Sequence, residues 1–290
     1  MAKAYVTSTG DVAELVISAP PLNLFDGQLA ADLESALDEV TALCWPGGTT
    51  PPDPPATGGT HPPGPPLGGI HPPGPPWARA VLLRAEGKVF CGGVDVHEFQ
   101  GLGPSQGAAL MARFLALVQT LERVPVPTIA VVHALNLTIG FELSLGCDLM
   151  WAAEDASFGL VEATVGLTPG GGGTQRLVAR AGVARAAELV MTGDIYPAAE
   201  LHQWGVVNRI LAPAVLLERA RSFAARLAAG PTAATAVGKR LLQTARDHGV
   251  AAADAVTPRE TGQIFATRDL PAGLTSLLEQ GPRQATFEGR

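Results

Sequence analysis

A chain of 290 residues that is 47% hydrophobic and 16% charged can bury a large core as one big domain or two modest ones. Its net charge of −7 and pI near 5.4 give no basic footprint for nucleic acid or an anionic membrane, so a small molecule or another protein is the expected partner. Three widely spaced cysteines, Cys44, Cys91 and Cys147, suggest neither a disulfide framework nor a zinc site, and imply a reduced, cytoplasmic setting.

In chain order, MAKAYVTSTGD has one lysine and no apolar stretch, so no secretory signal is expected. AYVTSTGDVAELVIS (4–18) alternates apolar and polar residues about a Gly-Asp turn and predicts a β-hairpin. GQLAADLESALDEVTAL (27–43) carries Leu29, Leu33, Ala36, Leu37 and Val40 at helical spacing, with Asp26 placed to cap it. Residues 46–76 break the pattern with a near-perfect tandem, GGTHPPGPP and GGIHPPGPP. That composition cannot bury enough apolar area to offset its ordering entropy, so a solvated polyproline-like spacer is predicted. The alternatives are a docking ligand for an aromatic-lined partner and a weak metal site at His61 and His71.

RAVLLRAEG (79–87) reads as a strand buried on both faces, followed by the glycine-rich turn FCGGVDVHEF, a helix around 105–123 and a second strand, PTIAVVHA (127–134). The window 124–141 is the most apolar, but Pro125, Pro127, Thr128, His133 and Asn136 break it, which argues for a core strand rather than a membrane span. A third strand-like piece, DLMWAAEDASFGL (148–160), leads into VEATVGLTPGGGGTQRL, and from Thr174 onward the pattern is mostly helical with Gly stops. An α/β core over 1–210, interrupted by 46–76, and a helical region over 211–290 are the expected organisation.

Two turns leave a strand in the same manner, FCGGVDV after Glu86 and LTIGFEL after Ala134, and each starts a segment whose first N–H groups lack an internal partner. Two such amides aimed at one point suit a carbonyl oxygen that becomes an anion. Glu142 follows the second turn within the nearly uncharged run HALNLTIGFELSLGCDLMW (133–151), and Glu162 sits in the apolar FGLVEATVG. Each alone fits a structural ion pair as well as a catalyst. Together, two carboxyl groups in an apolar setting can divide acid and base roles. The GGGG of 170–173 lacks the preceding strand and spaced acidic partner of a dinucleotide loop, and reads as a flexible turn next to Glu162 at the start of the TQRL helix. Asp148 reads as a turn-fixing residue, and the histidines as structural, exposed or flanking.

The segments VFCGGVDVHEF (89–99), HALNLTIGFELSLGCDLMWA (133–152), FGLVEATVGLTPGGGGTQRL (158–177) and MTGDIYPAAELHQWGVVNRI (191–210) resemble the enoyl-CoA hydratase/isomerase (crotonase) superfamily in order, spacing and residue type. The resemblance covers 4–44 and 78–290. It implies an α/β fold of repeated ββα units wound into a spiral, with a C-terminal helical region used for trimerisation, often as a dimer of trimers. It also implies a lyase of the enoyl-CoA hydratase type in fatty acid metabolism. Such an enzyme needs no metal or redox cofactor, because coenzyme A is part of the substrate. Carried onto this chain, the catalytic glutamates are Glu142 and Glu162, and the backbone donors to the thioester oxygen are Val94 and Ile139. Val94, Asp95, Val96 and His97 line the CoA and acyl site, and Lys88 approaches a CoA phosphate.

In the usual scheme of the family Glu142 activates water and Glu162 protonates carbon. Relatives that only shift a double bond generally need the second glutamate alone, so both together favour hydration of a 2-enoyl-CoA. Isomerase, hydrolase or decarboxylase chemistry and non-catalytic acyl-CoA binding are the alternatives. The chain departs from the family's glycine run at Thr138-Ile139-Gly140, where a β-branched Ile139 keeps its N–H but accepts positive φ only at a cost. Near the C-terminus Gln284 stands where many relatives have lysine.

Overall fold

In the computed structural model, which describes residues 2–44 and 77–289, the predicted hairpin forms as β1 (Ala4–Thr9) and β2 (Val12–Ile17), antiparallel with Thr9 opposite Val12. Helix α1 (Gly27–Leu43) follows with the boundaries the spacing predicts, and the Asp26 carboxylate accepts the Leu29 N–H at 2.8 Å. The proline-rich segment, with His61 and His71, lies outside the described residues. Its flanks are close together, since the Ala78 N–H donates to the Leu43 carbonyl at 2.8 Å.

The chain then runs through β3 (Ala80–Ala85), α2 (Pro104–Arg123), β4 (Thr128–Val132), β5 (Asn136–Leu137), α3 (Ile139–Gly146), β6 (Leu149–Ala153) and β7 (Ser157–Gly159). Next come α4 (Gly173–Ala181), α5 (Val183–Thr192), β8 (Ile195–Pro197), α6 (Ala198–Gln203) and β9 (Arg209–Leu211). Helices α7 (Pro213–Ala228), α8 (Thr232–His248), α9 (Val250–Gly262) and α10 (Asp269–Gln280) complete it. Six strands form one sheet in the order β1-β2-β3-β4-β6-β9, parallel from β2 onward, and β5-β7-β8 form a second. The stretch predicted as one strand over 148–160 is two strands in different sheets, because the chain turns at Glu154–Ala156 with the Ala156 N–H bonded back to Ala153.

β2 is buried at every position, as expected of a strand covered on both faces. Helix α7 packs on the sheet through Leu216, Ala220, Ala224 and Ala228, a four-residue repeat of mostly small side chains that lets the helix approach closely. Glu14 in β2 is buried between Arg84 of β3 and Arg221 of α7, with both guanidinium contacts at 2.6 Å. Asp148 does fix structure. Its carboxylate accepts from the Thr128 N–H at 2.8 Å and pairs with Lys239 of α8 at 2.8 Å, which fastens the C-terminal helices to the start of β4. No helix among the described residues is long and apolar enough to cross a membrane.

Candidate active site

Three segments far apart in sequence run side by side beyond the carboxyl ends of β3 and β4, the usual place for a ligand in a parallel sheet. Phe25 bridges to Val94 and Cys91 to Asn136, β5 lies parallel to β7, and the Thr138 N–H donates to the Gly159 carbonyl at 2.9 Å. Main-chain bonds therefore join the Val94 turn, the start of α3 and the short 3-10 helix Val161–Val165 that carries Glu162. Asn23, buried at φ 50°, secures the first turn. Its Nδ2 donates to the carbonyls of Glu86, Val89 and Phe90 at 2.8, 2.9 and 3.1 Å.

Both expected amide donors are free. The bridge to Phe25 uses the neighbours of Val94, with the Phe25 N–H on the Gly93 carbonyl at 2.9 Å and the Asp95 N–H on the Phe25 carbonyl at 3.0 Å. Along an extended segment successive N–H groups alternate in direction, so that of Val94 faces the other way. Ile139 is the first residue of α3, and the first N–H groups of a helix have no internal acceptor. Among the described residues no acceptor takes either N–H.

Gly92, Gly93, Val94, Thr138, Glu142 and Glu162 line one cavity of about 160 Å³, walled by apolar side chains that include Phe99, Met111 and Phe114. Glu142 is 2% exposed, on a helix whose eight residues are all buried. Its Oε2 accepts the Gly171 N–H at 3.0 Å and its Oε1 the Gly173 N–H at 2.8 Å. Burial pushes its pKa up, against these two amide bonds and the charge of Arg176. Glu162 is half-buried and its pKa is pushed up to about 7, chiefly by burial and next by the charge of Glu142. Its Oε2 is buried without a hydrogen-bond partner among the described residues. One carboxyl group is thus held by donors suited to an anion, and its neighbour is biased toward the protonated form.

The remaining expected residues divide. Val94 and Val96 border the cavity. Asp95 accepts the His97 N–H at 3.0 Å and pairs with its ring Nδ1 at 2.6 Å, capping the 3-10 helix Val96–Phe99; neither lines the cavity. Lys88 is exposed and also lies outside the cavity wall. The positive φ expected to burden Ile139 falls on Thr138, at φ 48° and ψ −122°, while the Ile139 side chain is buried against the glycine loop.

The family model for enoyl-CoA hydratase/isomerase matches residues 74–290. The chain belongs to that family. This enoyl-CoA hydratase/isomerase family member is similar to a probable enoyl-CoA hydratase of Rhizobium meliloti (strain 1021), 34% identical over 211 residues that span 73% of this chain and 80% of that one. It is also similar to a probable enoyl-CoA hydratase of Bacillus subtilis (strain 168), 28% identical over 280 residues, 96% of this chain and 95% of the other. The crystal structure of an enoyl-CoA hydratase from Bacillus anthracis superposes with a TM-score of 0.82 at 26% identity, over 99% of this chain and 100% of that one. The fold is accordingly the crotonase-type α/β spiral with a helical C-terminal region.

Sequence reasoning missed two supports of this family member's site. Asn23 lies in a loop between hairpin and helix, where no pattern in the sequence marks it out. The glycine loop was expected beside Glu162 as a flexible turn, yet two of its amides bind Glu142. A β-carbon on Gly171 would lie 2.7 Å from Glu142 Oε2, and one on Gly173 would lie 2.9 Å from Glu142 Cγ, so a side chain at either position evicts the carboxylate. The missed signal was the run of four glycines itself, longer than a helix start requires. Gly171→Ala is expected to lower turnover of an enoyl-CoA by about a hundredfold through misplacement of Glu142, with native circular dichroism retained. Unchanged turnover in steady-state assays would contradict this role.

Proposed function

We propose that this enzyme adds water across the 2,3 double bond of a 2-enoyl-CoA thioester. Glu142 takes a proton from the water, Glu162 gives one to C2, and the N–H groups of Val94 and Ile139 hold the thioester oxygen. The observation that carries the reading is the pair of carboxyl groups on one cavity, one held by two main-chain donors and the other with a buried oxygen that has no partner among the described residues, beside two amides that no acceptor among those residues takes. As the water oxygen bonds to C3, the double-bond electrons move into the thioester and leave enolate charge on its oxygen. Each preorganised donor there is worth about 3 kcal/mol in the transition state. The enolate collapses when C2 takes the Glu162 proton, and solvent exchange returns a proton from Glu142 to Glu162. An ordinary glutamate is ionised at neutral pH, whereas one titrating at about 7 keeps a large protonated share. A cytoplasmic setting belongs to the same reading and is supported by three buried free cysteines.

The same reading makes the active form a homotrimer or a dimer of trimers. In its support, large apolar side chains stand out on the C-terminal helices and the segment between them: Leu242, Val250, Phe265 and Leu278 are 71–86% exposed. Sedimentation is expected to give a mass several times that of the 29.8 kDa chain, and a monomer at working concentration would contradict it.

The chemistry is tested with crotonyl-CoA by following loss of the conjugated absorbance. Glu142→Ala and Glu162→Ala are each expected to lower kcat by about 10²–10⁴-fold. The wild-type hydration rate is expected to fall as pH rises through about 7, where Glu162 loses its proton. Double-bond migration that survives Glu142→Ala and dies with Glu162→Ala would overturn hydration in favour of isomerisation.

A further inference from the structure

The turn that opens α3 carries one polar group more than a main-chain donor needs. Thr138 is 7% exposed and borders the cavity, and its Oγ1 is buried with no hydrogen-bond partner among the described residues. A buried hydroxyl without a partner is destabilising, and one at the wall of a binding cavity is satisfied when a ligand brings the acceptor. The backbone gives no reason for threonine here. At φ 48° and ψ −122° glycine fits without strain and a β-branched residue does not. Two costs at one residue, strain and an orphan hydroxyl, point to a task for the side chain.

Its position names the task. A β-carbon on Gly93 would lie 3.2 Å from Thr138 Oγ1 and 3.4 Å from its Cγ2, so the side chain rests against the glycine that precedes Val94. Thr138 itself immediately precedes Ile139. The hydroxyl therefore sits where the two turns meet, between the residues that supply the main-chain donors.

We propose that Thr138 Oγ1 is a third hydrogen-bond donor to the thioester oxygen, which gives this site one side-chain donor besides the N–H groups of Val94 and Ile139. The inference rests on the thioester reading above. No proton is transferred and no bond is broken at Thr138; the O–H dipole meets the oxygen as it gains enolate charge. Because that charge is greatest in the transition state, the hydroxyl acts on kcat more than on KM.

The test compares Thr138→Ser, Thr138→Val and Thr138→Gly with the wild type. With crotonyl-CoA, Val and Gly are expected to lose about ten- to a hundredfold in kcat with KM nearly unchanged, and Ser to retain most of the activity. Thr138→Gly relieves the backbone strain, so its unfolding midpoint is expected to rise while its activity falls, which separates a chemical role from a folding defect. The second readout is the red shift of bound 4-dimethylaminocinnamoyl-CoA, a chromophore whose absorption follows polarisation of its thioester oxygen. The shift is expected to shrink in the Val and Gly variants and persist in Ser. Wild-type kcat and an unshrunken red shift in the Val and Gly variants would overturn the inference. Should the wild type fail to hydrate crotonyl-CoA, the hydration reading falls alone, and the chromophore still decides the role of Thr138. A wild type that neither turns over crotonyl-CoA nor binds the chromophore ends both.

Discussion

Glu142 enters the core on a helix with all eight residues buried, where an uncompensated carboxylate would cost several kcal/mol in lost hydration. What makes the position tolerable is a pair of backbone amides, Gly171 and Gly173, that take one carboxylate oxygen each. Those amides come from the loop that follows Glu162, so holding the first acid also fixes the path of the chain that carries the second. The loop can approach so closely only because it lacks β-carbons, which would collide with the carboxylate itself. Burial and the held charge then raise the pKa of Glu162, and the environments that divide acid from base have one common origin.

Much of the fold was legible because periodicity and capping report local physics. The hairpin over 4–18 and helix α1 with its Asp26 cap appear as the pattern predicts, and the buried strands of the parallel sheet read as continuous apolar runs. The split of 148–160 into strands of two sheets was not legible, since a turn at Glu154–Ala156 without glycine or proline leaves little local trace. Within the site, Glu142 announced itself as a charge in an apolar run. The partners that hold it are main-chain N–H groups, which have no side-chain signature and become visible only once the chain is folded. Asn23 escaped for a similar reason, because its three carbonyl partners lie more than sixty residues away.

The turn before α3 shows how a departure from a family's glycine run can be absorbed. Ile139 keeps the amide at the helix start and packs its side chain against the glycine loop without lining the cavity, while the left-handed conformation shifts to Thr138. Asp95 and His97 follow a different logic. They engage each other, and the cap they form orients the short helix after Val94 without facing the cavity. The site thus depends on few side chains and on many backbone groups whose positions are set by the bridges between β5, β7 and the Val94 turn.

Mutual influence of the two carboxyl groups is what ties fold to chemistry here, and it is measured most directly by carbon-13 NMR titration of the Glu162 side chain in the wild type and in Glu142→Gln. The expected midpoint lies near 7 in the wild type and moves part of the way toward the ordinary value of 4.5 when the Glu142 charge is removed, burial keeping the rest. A Glu162 that titrates near 4.5 in the wild type, or whose midpoint ignores the substitution, would contradict it.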